Sequence, residues 1–497
     1  MPYKYQTSIG SFTRKSTFFW ASVGATVGLA NLWQFPYLAS IHGGGLFVLL
    51  YLLCLLLVAL PLMVTEAVLG RYSRHGIVLA MDGFVRDAGS HRAWALAGPL
   101  SVITAFLVLS FTAVFGGIAL AYVFIGASGK FSAGSTVAAT ARLAELVASP
   151  ERHRELMAWH GFFLVLVLAV SARGVVKGLE RSLRITVPCT LVLLVALFAL
   201  SWWYGRLESG VEHILRFRPE QFTWGSLQAA LFHAFYTLGL GVGVWTIFGA
   251  YTTERTCLKR SILAVVLMDT LIALLAGIMM FSVALGGTSL DGERGFGLLF
   301  VSLPVALAQL PMSQLVITAV FVLVLLVVWA TSVSLLEPVV SWLQERLGAP
   351  RGWSVVCVGL AIWAMGLPSL FSFNIWADYQ LAGATAYRWL ELVTGGILIP
   401  AVAILVATFT GWCLTRRYSA VILGNAPAAF RLLWHWVMRL VLPAVALWIG
   451  LHYTVFSLSN LCDGESAAVW CGHGAPAVEQ SGSKTAPQQP DIRYHND

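Results

Sequence analysis

An all-α polytopic membrane protein of about eleven spanning helices is what this sequence predicts, and three observations carry that expectation. Of 497 residues, 58% are hydrophobic and 11% charged, and the mean hydropathy is +0.79. Soluble chains carry about 25% charged residues, and a soluble chain this long splits into domains that each need a polar coat. The apolar residues come in runs near 20 long, the length that crosses a hydrocarbon core, where a helix bundle satisfies its own backbone. The basic residues, finally, are segregated between alternate loops.

In chain order the runs fall at 18–41, 44–70, 94–126, 159–178, 183–205, 224–250, 259–287, 315–345, 353–371, 389–412 and 433–458. The expected organisation is a short N-terminal segment 1–17, a membrane domain 18–458 and a flexible tail 459–497 rich in Pro, Gly, Ser and Gln. Within the membrane domain, 18–205 and 224–412 read as two repeats of five helices, with 433–458 added. No cleavable signal peptide is expected, because the first run continues into Gly- and Pro-interrupted sequence without a cleavage pattern.

Placing the N-terminus inside puts twenty of the 31 Lys and Arg residues on one side, among them Lys15, Arg71, Arg74, Lys177, Arg181, Arg255 and Arg351. That excess marks the cytoplasmic face. The net charge of +8 is therefore topology and not a nucleic-acid patch. Eleven spans then leave the tail outside, where Cys462 and Cys471 are close enough in sequence for a disulfide in an oxidising compartment. The expected location is a bacterial cytoplasmic membrane, with lipid as the surrounding partner.

The first run is interrupted. It reads Ser22-Val-Gly-Ala-Thr-Val-Gly-Leu-Ala-Asn-Leu-Trp-Gln-Phe-Pro-Tyr37 and is followed by Gly43-Gly44-Gly45. Gly24, Gly28 and Pro36 around Asn31 suit an unbroken helix poorly. Unwound backbone inside a membrane is tolerated where it lines a protein cavity, and it offers carbonyls to a cation and N–H groups to a carboxylate. The bland alternative is a Gly-mediated helix crossing. The sixth run breaks at Phe235-Tyr-Thr-Leu-Gly-Leu-Gly-Val-Gly243. No βαβ unit surrounds these glycines, so a dinucleotide loop is excluded. Interruptions heading both halves point to an inverted repeat with a site at mid-membrane.

Three acids fall within runs: Glu66, Asp269 and Glu337. Asp269, in Val265-Val-Leu-Met-Asp-Thr-Leu-Ile-Ala273, has no nearby cation in its own run, and a charge at that depth demands a partner. It reads as a cation ligand, the alternative being an Asp bonded to neighbouring backbone. Thr331-Ser332 in the eighth run could add hydroxyl oxygens for a hard cation, or merely bond a preceding carbonyl. The histidines show no metal-ligand spacing and no nucleophile–base pair stands out, so no enzyme is expected.

These motifs together resemble the neurotransmitter:sodium symporter family, in a divergent bacterial form similar to the leucine transporter. The strongest match is Gly28-Leu-Ala-Asn-Leu-Trp-Gln-Phe-Pro-Tyr37 with the glycine triplet, Pro61, Glu66 and Gly70. Lys177-Gly-Leu-Glu-Arg181 running to Pro188, Tyr236-Thr-Leu-Gly-Leu-Gly241, Asp269 to Gly277 and Ser334-Leu-Leu-Glu-Pro338 corroborate it. The resemblance implies a sodium-coupled symporter of a small organic solute, working by alternating access with two sodium sites. The first site would use Asn31, Thr237, Asp269 and the Thr26 carbonyl. Asp269 stands where many relatives have Asn, and Ala273 stands where chloride-requiring relatives have a hydroxyl, so chloride would not be required.

The second site would use the carbonyls of Gly24, Val27 and Val328 with the hydroxyls of Thr331 and Ser332. The spacing from Thr331 to Glu337 is one residue shorter than the family pattern; without that gap the pair becomes Ala330 and Thr331. Substrate residues carried over are Leu29, Ala30, Val108, Thr112, Tyr236, Gly239, Val242 and Leu335. Thr112 replaces the Tyr that meets a substrate carboxylate in amino-acid-transporting relatives. At the outer gate Gln34 replaces an Arg, facing Glu391 or alternatively Asp378. His233 replaces a Gln, Phe12 replaces a Trp, and the inner-gate Arg beside it is missing. A hydrophobic or aromatic amino acid is the expected solute; a hydroxylated or amine solute without a carboxylate would suit the missing Tyr better. A non-transporting sensor on the same fold is the competing expectation.

Overall fold

The computed structural model describes residues 9–131, 135–284, 297–414, 424 and 427–459. Among these it is helical throughout, with only isolated bridges between Gly44 and Phe217 and between Leu381 and Ala384. Nine helices among the described residues are long and apolar enough to cross a membrane: Gly45–Ser73, Arg92–Ala127, Pro150–Ala172, Val175–Tyr204, Leu258–Val283, Ser313–Leu347, Arg351–Phe371, Ala386–Cys413 and Ala428–Leu458. Two interrupted spans, in the first and sixth runs, bring the number among the described residues to eleven. The cysteine pair Cys462 and Cys471 and the tail lie outside the described residues.

The first span is built from α1 (Lys15–Thr26), α2 (Leu29–Leu32) and α3 (Gln34–Ile41). Val27 and Gly28 between α1 and α2 are extended, and the side-chain oxygen of Asn31 accepts the Gly28 N–H at 3.0 Å. Asn31 thus caps the second start of its own helix. Pro36 sits in the first turn of α3, where its missing N–H costs no helical bond.

The sixth span divides into α4 (Trp224–Thr237) and α5 (Val244–Tyr251). Gly239, Gly241 and Gly243 all have positive φ, at 59°, 75° and 75°, a backbone that other residues rarely adopt. Glu66 of the second span accepts the Gly241 N–H at 3.1 Å, and the Trp245 indole donates to the Leu238 carbonyl at 2.7 Å. Both contacts satisfy backbone that the break leaves without helical partners.

The half-helix α1 packs against the fifth, seventh and eighth spans, while α5 packs along the second. That second contact is unusually close. A Cβ on Gly70 would stand 1.8 Å from the Thr246 carbonyl oxygen, and one on Gly249 2.0 Å from that of Ala67. The third and eighth spans form the largest pairing in the bundle. Glu337 is fully buried in the eighth span, and its charge is met by Arg351, by the Ser171 hydroxyl at 3.0 Å and by the Tyr251 hydroxyl at 3.0 Å. This acid is therefore tied into the ninth, fourth and sixth spans and plays a structural part.

Candidate functional site

The two breaks meet at one place. The Thr237 hydroxyl, at the last residue of α4, lies 3.3 Å from the Asn31 side-chain oxygen and 3.4 Å from Asp269 Oδ2. Tyr51 of the second span donates to the same Oδ2 at 3.3 Å. Asp269 and Asn31 are fully enclosed, and Thr26, where α1 ends, is 2% exposed. Asp269 Oδ1 has no hydrogen-bond partner. An anionic oxygen without a donor, beside an amide oxygen, a hydroxyl and the end of a helix, makes a set of hard oxygens suited to a small cation. Among the described residues no three His, Cys, Asp or Glu side chains cluster as a transition-metal set.

A second group of oxygens lies between α1 and the eighth span. The Thr331 hydroxyl is 3.0 Å from the Val27 carbonyl, 3.4 Å from that of Gly24 and 3.2 Å from that of Val327. The Ser332 hydroxyl is buried and has no hydrogen-bond partner. Ala330 faces α1, its Cβ 3.3 Å from where a Cβ on Gly24 would be. Each helical residue is rotated 100° from the next. Of the hydroxyls the sequence offers here, that of Thr331 is the one brought to the α1 carbonyls, its contact with Val327 being the ordinary back-bond within its own helix.

Between the two groups opens a cavity of about 340 Å³. Leu29, Ala30, Val108, Thr112, Tyr236, Gly239, Val242 and Leu335 all line it, as do Thr26, Asn31, Thr237, Val328 and Thr331. Gln34 and Glu391 line it too, whereas Asp378 is exposed in the loop before the tenth span. The Tyr236 hydroxyl donates to the Gly395 carbonyl at 2.5 Å. Gly395 lies in a π-helical stretch of the tenth span, Leu392–Leu398, where such bulges leave carbonyls open to other donors.

Part of the wall escapes sequence reading. Phe111 and Phe115 of the third span meet Phe373 and Tyr387 beside the tenth, with ring centroids 5.1–6.3 Å apart. All four line the cavity. Tyr51 was also missed, since one Tyr in the apolar run Leu49-Leu-Tyr-Leu-Leu53 carries no signal of its own.

Comparisons with known proteins agree with this arrangement. A sequence model of the "Sodium:neurotransmitter symporter family" matches residues 10–133 and 149–461. The chain belongs to that family. It is 30% identical over 444 residues to the uncharacterized sodium-dependent transporter YhdH of Bacillus subtilis strain 168, covering 88% of this chain and 96% of that one. A sodium-dependent transporter of Haemophilus influenzae is 25% identical over 460 residues, covering 91% and 98%. Among solved structures, MhsT in complex with L-phenylalanine superposes with a TM-score of 0.78 at 27% identity, covering 90% of this chain and 99% of MhsT. This symporter is thus an integral membrane protein coupling sodium to the movement of a small solute, and its family is one of transporters rather than enzymes.

Proposed function

We propose that the chain carries a hydrophobic or aromatic amino acid inward with sodium, by alternating access across a bacterial cytoplasmic membrane with its N-terminus inside. The observation that carries this reading is the cavity itself. Sodium-type oxygens and the start of α2 line it together with an apolar wall of Val108, Leu335, Phe111, Phe115, Phe373 and Tyr387. The half-helix α2 is short, but Leu29 and Ala30 head it just after the break, where N–H groups of a helix start can meet a carboxylate. Thr112 offers that carboxylate a hydroxyl in place of the Tyr of relatives. The ring-lined wall accepts an apolar side chain at little desolvation cost. MhsT, a relative by structure, was solved with L-phenylalanine.

Two sodium ions act as co-substrates. Asn31, Thr237, Asp269 and the Thr26 carbonyl hold the first. Thr331 with the carbonyls of Gly24 and Val27 holds the second, which has one side-chain oxygen where the family pattern has two. Chloride is not needed, because the Asp269 carboxylate takes up the Tyr51 and Thr237 hydroxyls and supplies the fixed negative charge. Ions and solute together favour a closed state that none favours alone, and this is the source of coupling.

Uptake of labelled phenylalanine, leucine and tryptophan into proteoliposomes with an inward sodium gradient tests the reading, an equal potassium gradient being the control. Sodium-dependent accumulation lost in Asp269→Ala supports it. Binding without accumulation would leave a sensor instead.

A further inference from the structure

The half-helix α1 begins without a cap of its own. Arg14, at its N-cap, has extended backbone and makes no side-chain capping bond. The cap comes instead from Glu180, which is 2% exposed and lies in the π-helical stretch Val175–Glu180 that opens the fifth span. Its carboxylate accepts the backbone N–H groups of Thr13 at 2.7 Å and Arg14 at 3.3 Å, and the hydroxyls of Thr13 at 2.9 Å and Thr17 at 2.7 Å. Arg184, one turn on, stands 3.9 Å from the same carboxylate. A carboxylate so placed satisfies N–H groups that a helix start leaves open and faces the positive end of its dipole.

The residues just before are wedged as well. The Phe12 N–H donates to the Tyr251 carbonyl at 2.8 Å, and its ring packs edge-on against Phe248 and Tyr251. Residues 12–17 are thereby tied to α5 through Phe12 and to the start of the fifth span through Glu180.

We infer that Glu180 is the clasp that holds the inner half of the first span shut. It is a positioning residue that touches neither ion nor solute. All four hydrogen bonds come from one short stretch, so a swing of α1 away from the bundle breaks them together. The clasp accounts for how this chain closes its inner side although the inner-gate Arg of its relatives is missing. The inference rests on the alternating-access reading and on a cytoplasmic N-terminus.

The test reads opening directly. Ser22, fully buried on α1, is replaced by Cys in a chain whose own cysteines are changed to Ser or Ala. Alkylation by a membrane-impermeant maleimide is timed in inside-out vesicles with sodium present. Glu180→Gln is expected to speed labelling roughly tenfold and to raise the sodium concentration for half-maximal uptake, since loss of a charge-assisted hydrogen-bond set shifts the two-state balance by about that factor. Glu180→Asp should restore part of the slow labelling, which a merely structural role would not predict. If Glu180→Gln does not fold, the Thr13→Val, Thr17→Val pair removes two donors while leaving the acid, and should also speed labelling. Unchanged labelling in a folded variant overturns the clasp. Should the parent chain accumulate no solute while labelling still rises in the variants, the clasp stands and the transport reading falls.

Discussion

Asp269 concentrates several jobs in one side chain. It holds two hydroxyls on one oxygen and leaves the other open toward the first break. Asp269→Asn keeps the shape and removes the charge, so sodium-driven uptake should fall at least about tenfold, as expected when a buried charge partner is lost. Adding Ala273→Ser to that variant should recover uptake only when chloride is supplied, and uptake in chloride and in gluconate distinguishes the cases. Ala330 is the other informative position. Ala330→Ser would give the second oxygen group a second hydroxyl, and a sodium titration of uptake should show half-saturation at a few-fold lower concentration. The sequence left this register open for a physical reason: Thr331, Ser332 and Ser334 of the eighth span sit at neighbouring positions that point to different sides of a helix, so no single polar stripe fixes which face meets α1. Glu180 was visible only as part of a family motif, because its partners lie some 165 residues earlier.

At the scale of helices, the breaks were the most legible feature. Gly28, Asn31 and Pro36 in one span, and three glycines in another, leave a chain no better choice than to unwind there. Their bracing was less legible. That Glu66 reaches Gly241, or that a π-helical turn frees Gly395 for Tyr236, depends on which spans are neighbours. The aromatic wall has the same cause, since Phe115 and Tyr387 belong to spans far apart in sequence. Gly70 gives the sharpest element-scale expectation. Gly70→Ala would drive a methyl into the Thr246 carbonyl, and overpacking of this kind costs about 1–3 kcal/mol. A lower melting temperature and reduced folded yield, followed by fluorescence-detected size exclusion, would show it, whereas Gly83→Ala, with open space around it, should be silent.

For the whole molecule, composition and run length were enough to give the spans, because a membrane allows few other architectures. The basic-residue bias makes a further expectation. Lys177→Cys should label only from the cytoplasmic side and Glu220→Cys only from the opposite side, both positions being exposed. The close approach of Gly70 to Thr246 and of Gly249 to Ala67 bears on how such a molecule can be watched at work. Two backbones in direct contact have no slack, so the second span and α5 travel as one body. A pair of spin labels, one on each of these helices, would report the same separation in every stage of the cycle. That pair gives distance spectroscopy a built-in ruler, against which changes measured across the cavity can be calibrated in the same sample.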